Sequence, residues 1–330
     1  MAKKARIALV IIGRNEAHHL ARSLPGLADR FDKLVYVDSG STDGSQDLAR
    51  RHGAEVVELD MDLPFTAARA RNAGFAAVLA DRRRFRYVQF MDGDCELVPG
   101  YIERAVGFLE EHPEYGMVCG RRVERNPSAS IFNTLCDIEW DTPVGDTDYC
   151  GGDVTVRVLA LQEIEGYDDS LIAGEDPEVC VRLRQAGWKI YRLDHDMTLH
   201  DANMHRLGQW WRRNERAGYA FAEGAHLHGA RPHRHWVRES KSNWAWGLYA
   251  LFFAVAGLFQ PAAWLALLVF PLQGLRLAFK DIWNTRNRPF RHKLLYGLNC
   301  YFAKIPQFVG QTRYLLNRLM HRRQTIIEYK

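Results

Sequence analysis

Through the first third of the chain, short apolar runs of strand length alternate with segments whose apolar positions recur at helical spacing. RIALVII precedes a helical pattern over residues 16–27, KLVYVDS one over 43–52, AEVVEL one over 67–80, and RYVQFMD one over 101–111. Repeated units of this kind predict a mostly parallel sheet with helices on both faces. Ligands of such sheets bind beyond the carboxyl ends of the strands, so the residues just after each apolar run are the ones to inspect. After the first run come Arg14, Asn15 and Glu16. After the second come Asp38 and the turn SGSTDGS, and after the fourth Asp92, Gly93 and Asp94.

The middle of the chain, residues 119–201, is mixed: a glycine-marked turn, a strand, a short helix, a loop bearing Glu175 and Asp176, a helix over 177–186 ended by Gly187, and a last strand. Pro177 suits the first helical turn, where its missing N–H has no partner to lose. The last third changes character. No charge occurs from Asn243 until Arg276, and two apolar halves meet at Gln260 and Pro261. Each half has roughly 15–17 residues against about 20 for a helix that spans the bilayer core, which predicts a membrane-embedded hairpin, re-entrant or barely spanning. Residues 291–323 place leucines and aromatics among basic residues, as an interfacial amphipathic helix does, with a kink expected at Pro306.

With 330 residues, 47% of them hydrophobic, the chain is globular and long enough for one large domain of about 200–250 residues and a smaller appendage. The formal charge of +4 hides an asymmetry: residues 276–330 hold twelve Lys and Arg against two acids, leaving the rest of the chain net acidic. A basic tail with leucines at helical spacing fits an anionic bilayer better than nucleic acid, and no nucleic-acid partner is expected. Six scattered cysteines without a C-x-x-C pair read as reduced thiols, with no disulfide and no zinc site. The apolar stretch after the basic N-terminus runs only from Ile7 to Ile12, too short for a secretory leader, and reads as a first buried strand. The histidines of HLHGARPHRH (His226, His228, His233 and His235) read as a surface connector.

Asp92 and Asp94 flank a glycine at a strand end. Carboxylates paired in this way repel unless a cation sits between them, and the hard ligand set selects Mg²⁺ or Mn²⁺. Taken alone, D-G-D is as readily a turn. In GED, Glu175 and Asp176 lie just before a helix, whose N-terminal dipole favours the ionised form.

In order along the chain, GRNEAHHL, VDSGSTDGS, ARARNAG, DGD and GEDPEVCVRLRQAG resemble the landmarks of inverting family 2 glycosyltransferases with the GT-A fold, over roughly residues 5–205. The later NERAGYA and AKIPQFVGQTRYLLNR are similar to membrane-associated members that build bacterial exopolysaccharide or envelope glycans on lipid carriers. The resemblance implies a Rossmann-like, GT-A α/β domain for nucleotide-diphospho-sugar transfer over 1–205, connector and acceptor-side helices over 206–242, and a membrane-associated helical region over 243–330.

By this resemblance Asp38 contacts uracil N3 or the ribose, although Ser39 stands where the family commonly has a second acid. Arg14, Glu16, Arg71, Asn72 and Asp92 fall on the nucleotide side. Asp94 holds Mn²⁺ or Mg²⁺, with Asp92 on the ribose or the metal's water shell and His200 as a third ligand. Asp176 is the base that takes the acceptor proton, supported by Glu175, in a single displacement that inverts the anomeric carbon. Gly152 and Asp153 lie under the acceptor and donor sugar. GQWWRRNERAG partly echoes the Q-x-x-R-W element of processive synthases through Gln209 and Arg212, with Arg213 where tryptophan is expected, which argues against a processive polymerase; Trp210 and Trp211 stack on acceptor sugar or anchor at the interface. The implied reaction moves a sugar from a nucleotide donor, a UDP-sugar by family habit, to a lipid-linked glycan at the cytoplasmic membrane face. Two alternatives are a nucleotidyltransferase, whose GxGxR loop is replaced here by GRNEAHH, and a non-catalytic scaffold, against which the intact acids stand.

Overall fold

The computed structural model describes residues 6–280 and 282–321. The order is β1 (Ile7–Gly13), α1 (Ala17–Ser23), β2 (Lys33–Asp38), α2 (Ser45–Arg51), β3 (Glu55–Glu58), α3 (Ala67–Ala80), β4 (Tyr87–Asp92), β5 (Cys95–Leu97) and α4 (Tyr101–Glu111). Then come β6 (Tyr115–Glu124), α5 (Ile131–Glu139), β7 (Gly145–Asp146), β8 (Val154–Arg157), α6 (Val158–Glu163), α7 (Glu175–Gln185) and β9 (Lys189–His200). The remainder is helical: α8 (Leu207–His228), α9 (Val237–Phe259), a 3₁₀ segment (Pro261–Leu268), α10 (Val269–Ala278), a short 3₁₀ turn (Trp283–Thr285), α11 (Phe290–Phe302) and α12 (Lys304–Leu319). The chain divides into two units, Met1–Arg125 with Pro143–Asp201, and Asn126–Thr142 with Ala202–Lys330.

The first unit holds one sheet in the order β3-β2-β1-β4-β8-β6-β9-β5, with β7 on β9. The four strands predicted from the early apolar runs are its parallel half, whereas β8 runs antiparallel to both β4 and β6. Leu9, Val10 and Ile11 on β1 are fully buried, each contributing about 1.5–3 kcal/mol by leaving water. Helix α3 is seated on this half by Gly74, where a Cβ would come within 2.3 Å of Val10 Cγ1. Its start is set by Thr66, which accepts a hydrogen bond from the Arg69 N–H at 3.1 Å. That seating turns Arg71, three residues before Gly74, towards the interior, where it is 2% exposed.

Strand register collects the functional candidates. Gly13 pairs with Asp38, Ile12 with Asp92, Cys95 with His200 and Glu124 with His200. Because β1 has β2 on one side and β4 on the other, the order reverses there, and the carboxyl ends of these strands form the crevice where such sheets bind ligands.

The second unit is helical. Close approach of α8 and α12 needs two glycines: a Cβ on Gly218 would lie 2.0 Å from the Gln307 carbonyl, and one on Gly310 1.9 Å from that of Glu215. The expected helix over 291–323 is two helices, broken at Ala303; Pro306 therefore falls in the first turn of α12, where proline is tolerated. The expected apolar hairpin is present as α9 followed, after Gln260, by Pro261–Ala278. Both segments are long and apolar enough by length and composition to cross a membrane, and only 17% of each apolar window is buried. Phe259 and Phe279 are 84% and 74% exposed. The end of the basic tail, residues 322–330, lies outside the described residues. Within the histidine-rich stretch, His226 and His228 close α8, and His235 is buried against Trp236 at 4.2 Å between ring centroids; an aromatic partner there removes it from the surface connector the sequence suggested.

Candidate active site

Every residue of this site lies in the first unit. At its centre, Arg71 sends Nη2 to Asp92 Oδ1 at 2.8 Å and Nη1 to Glu175 Oε1 at 3.1 Å. The same Nη1 lies 3.1 Å from Asp176 Oδ1, an ion contact without hydrogen-bond alignment. Burial works against a charged guanidinium, but Asp176, Asp92 and Glu175 outweigh it and hold Arg71 firmly protonated. A second arginine, Arg122 of β6, reaches Asp92 Oδ2 at 3.2 Å and Asp153 Oδ2 at 2.9 Å. Asp92 is thus held at both oxygens, and three carboxylates and two guanidinium groups interlock around it. Isolated, any one of these buried charges would be strongly disfavoured; the two guanidinium groups offset most of the negative charge and leave the acids in excess.

Asp176 is the member left partly open, its side chain 20% exposed. Burial foremost lifts its pKa; Arg71 pulls it down, but Glu175 and Asp92 add to the rise, and the net value is about 7 against the ordinary 3.8. This reverses the expectation of a helix dipole favouring the ionised form. A dipole near the first turn is worth roughly 0.3–1 kcal/mol, under one pKa unit, and two neighbouring carboxylates with lost solvation exceed that.

Several residues expected at the ligand hold the framework instead. Arg71 does not lie on a nucleotide-facing surface; it is the buried cross-link just described. Asn72 clamps the following loop, donating to Tyr167 O at 2.7 Å and Asp169 Oδ1 at 2.6 Å and accepting from the Tyr167 N–H at 2.8 Å. Asp153, expected at a sugar hydroxyl, is fully buried. Its Oδ1 accepts the Asp92 N–H at 2.9 Å and its Oδ2 the Thr198 hydroxyl at 2.7 Å, so it props the D-G-D turn from behind. Gly152 makes room for protein rather than sugar: a Cβ there would come 2.0 Å from Arg71 Nη2. Asp38 is buried, and its Oδ2 accepts from the Gly40 and Ser41 N–H groups and from Gln46 Nε2 at 2.8–3.0 Å. It shapes the loop that follows it.

The mouth of the crevice holds the rest. Glu16 lies over the D-G-D turn, with a Cβ on Gly93 predicted to meet its Cγ at 2.8 Å, and it pairs with His19 Nδ1 at 2.6 Å. Arg14 is exposed and covers the Phe65 ring at 4.9 Å. The loops after β1 and β2 are stitched together by the Thr42 N–H to Asn15 Oδ1 at 2.8 Å and by the Asn15 N–H to Ser41 Oγ at 2.8 Å.

Among the described residues, two clusters place three candidate ligand atoms within 4.8 Å of one another: Asp94, Cys95 and His200, and Asp92, Cys95 and Asp153. Arg122 already supplies the cation of the second. In the first, His200 Nε2 is 3.3 Å from Asp94 Oδ2, and its other nitrogen faces Glu124 Oε2 at 3.8 Å. A histidine backed by a carboxylate is the usual outer arrangement of a metal ligand. Cys95 is kept as a neutral thiol, foremost by burial and then by Asp153, and thiols ligate as thiolates. The donor set that fits a divalent ion is therefore Asp94 and His200; Asp92, expected to share it, is taken up by the two arginines.

The acceptor-side residues expected from the sequence belong to the second unit. Gln209 caps α8 through the His205 and Arg206 N–H groups at 2.9 and 3.0 Å. Trp210 is 8% exposed and donates to Asn299 Oδ1 at 2.7 Å, in a small core with Leu135, Met204 and Ala303. Only Trp211 and Arg212 are open to solvent. Arg122 and the buried support from Thr198 were not anticipated: a single arginine inside a strand carries no motif, and only pairing of β6 with β8 and β9 brings it beneath the turn.

The sheet order and the chemistry at its crevice define a GT-A fold. Superposition on the mannosyltransferase PcManGT from Pyrobaculum calidifontis, solved with GDP-Man and Mn²⁺, gives a TM-score of 0.64 at 20% identity, covering 96% of this chain and 89% of that one. Residues 8–141 match the model of Glycosyl transferase family 2. A TPR repeat-containing protein of Synechococcus elongatus is 34% identical over 175 residues, 50% of this chain and 39% of that protein. Pre-mycofactocin glycosyltransferase of Mycobacterium tuberculosis is 27% identical over 208 residues, 59% of this chain and 42% of that enzyme. The chain thus spans about two fifths of the length of these curated relatives.

Proposed function

We propose that the chain is an inverting, divalent-metal-dependent glycosyltransferase that moves a sugar from a nucleoside-diphosphate donor to a lipid-linked glycan at the cytoplasmic face of a membrane. The observation that carries the transfer reading is Asp176, a partly open carboxylate poised near neutrality and joined through Arg71 to the turn that bears Asp94. A base of that pKa accepts a proton from a sugar hydroxyl as the hydroxyl attacks, and near pH 7 about half of it is in the ionised form that does so. Asp94 and His200 would hold the ion, which supplies Lewis-acid stabilisation of a departing diphosphate; the GDP-Man and Mn²⁺ of the Pyrobaculum mannosyltransferase support this reading. The stitched loops after β1 and β2 are the natural seat for the nucleotide, with Arg14 and Glu16 at its edge. Asp38 acts there chiefly by holding the loop's backbone, and UDP is our expected nucleotide. Trp211 and Arg212 remain our candidates on the acceptor side.

A test needs no acceptor beyond water. Slow hydrolysis of an α-linked UDP- or GDP-sugar, followed by proton NMR before mutarotation, is expected to yield the β-anomer first. Release of the α-anomer would end the inverting reading.

The membrane part rests on the exposed apolar surface of α9 and Pro261–Ala278. Val309, Leu316 and Leu319 on α12 are also exposed, and the last part of the sequence is rich in arginine and lysine. Surfaces of that kind dock on anionic bilayers. In flotation with vesicles containing phosphatidylglycerol, the protein should rise with the lipid; a protein that stays at the bottom without detergent would refute membrane docking.

A further inference from the structure

A cleft of about 320 Å³ lies wholly within the second unit, between α5, α8, α9, α10, α11 and α12. Its volume is at the lower end of the range for small-molecule sites. Part of its wall is held rigidly. Asn299 donates to Glu139 Oε1 at 3.0 Å, Glu139 pairs with Arg213 at 2.8 Å, and the Asn214 side chain donates to Trp210 O at 2.9 Å. The remaining polar groups are less committed. Lys304 gives one ammonium hydrogen to Asn243 Oδ1 at 2.8 Å, leaving two more on that group. Gln307 donates to Asn214 at 3.3 Å, while its Oε1 is buried with no hydrogen-bond partner among the described residues. Glu239 and Ser242 also face the cleft.

Buried acceptors in folded proteins are almost always paired, so an orphaned amide oxygen at a cleft wall points to a bound partner that donates. The charges select its class. Lys304 and the neighbouring Arg213 balance Glu139 and Glu239, so the cleft favours neither a phosphate nor a cation. Aromatic rings also line the cleft: Trp246, held edge-on to Tyr301 at 5.1 Å and Phe270 at 5.3 Å, and Phe221. A neutral molecule with one apolar face, and with hydroxyls that both donate and accept, satisfies this wall. We infer that this cleft binds a neutral pyranose unit of a glycan, through Gln307, Lys304, Glu239 and Ser242 and against Trp246. The choice of a saccharide over another neutral polyol rests on the transferase reading above; the cleft and its orphaned acceptor do not.

The test is saturation-transfer NMR on the full chain in detergent, with methyl α-mannoside, methyl β-glucoside and N-acetylglucosamine as probes. At least one should show transfer that persists in saturating UDP or GDP and in Asp94→Asn. In Gln307→Leu, affinity should fall about tenfold. Glu239→Gln and Ser242→Ala, milder changes, should each weaken it severalfold with an unaltered circular dichroism spectrum. The inference is overturned if no probe shows transfer, if binding survives all three cleft substitutions, or if it is lost in Asp94→Asn or displaced by nucleotide, which would assign it to the first unit. Nucleotide binding is read separately in the same samples, so failure of the transferase reading and failure of the cleft are distinguishable.

Discussion

Arg71→Met is expected to destabilise the protein by about 3–5 kcal/mol, the range for removing one partner of a buried ion cluster. The substitution keeps most of the side-chain volume, so the effect isolates charge. Without the guanidinium, Asp92, Glu175 and Asp176 face one another with only Arg122 nearby, and the cheapest relief is protonation or local opening of the turn before α7. Arg71→Lys should recover less than half of the loss. An ammonium is a single point, whereas the planar fork reaches Asp92 with one nitrogen and the Glu175–Asp176 pair with the other. Urea unfolding of the three proteins measures this. A change below about 1 kcal/mol for Arg71→Met, the scale of a surface ion pair, would mean that the cluster does not organise the site.

Asp176→Asn should lower kcat/KM by about 10²–10⁴, the usual contribution of a general base, while leaving nucleotide affinity within about twofold. The pH dependence gives a sharper readout. Asp176 acts as a base only when ionised, and its pKa is raised to about 7, so wild-type kcat/KM should fall as pH drops below about 7 and level off above it. The asparagine variant should show a flat residual rate across that limb. If the variant kept the inflection, the titrating group would lie elsewhere, and Asp176 would be a helix-terminal acid with no part in proton transfer. The same lesson applies to Glu175: paired with Arg71 and 7% exposed, it is placed to set the electrostatics of its neighbour, and Glu175→Gln should shift the inflection downward by removing a like charge.

The parallel half of the sheet was legible because strands covered on both faces must be apolar throughout, and RIALVII, KLVYVDS and RYVQFMD are. Helix α3 was legible from its helical spacing over 67–80, the span it has in the structure; the Thr66 cap that fixes its start emerged only with the structure. What the order of motifs could not convey was direction. Arg71 and Asn72 read as ligand contacts because they occur near the site in sequence order, yet a helix turned inward by one glycine, Gly74, makes the first a buried cross-link and the second a loop clamp. Asp153 misled for a similar reason: an acid after two glycines looks exposed until β8 is placed between β4 and β6 and carries it beneath the D-G-D turn. Arg122 had no local signal at all, because its role is created by strand pairing. In the helical part, the break at Gln260 and Pro261 was written in the chain, and so was the interruption near Ala303: Pro306 lacks an N–H and clashes with the carbonyl four residues earlier, that of Phe302, where α11 ends; the sequence read this as a kink in one helix, and the structure has two helices.

The central claim is that Asp94 and the turn around it form a metal-assisted donor site. Calorimetric titration of UDP and GDP into detergent-purified protein, with and without Mn²⁺, beside Asp94→Asn, tests it most directly. The account predicts metal-dependent binding of one of the two nucleotides, lost in the variant. Equal binding in the presence and absence of Mn²⁺, or no binding of either nucleotide by folded protein, would contradict it.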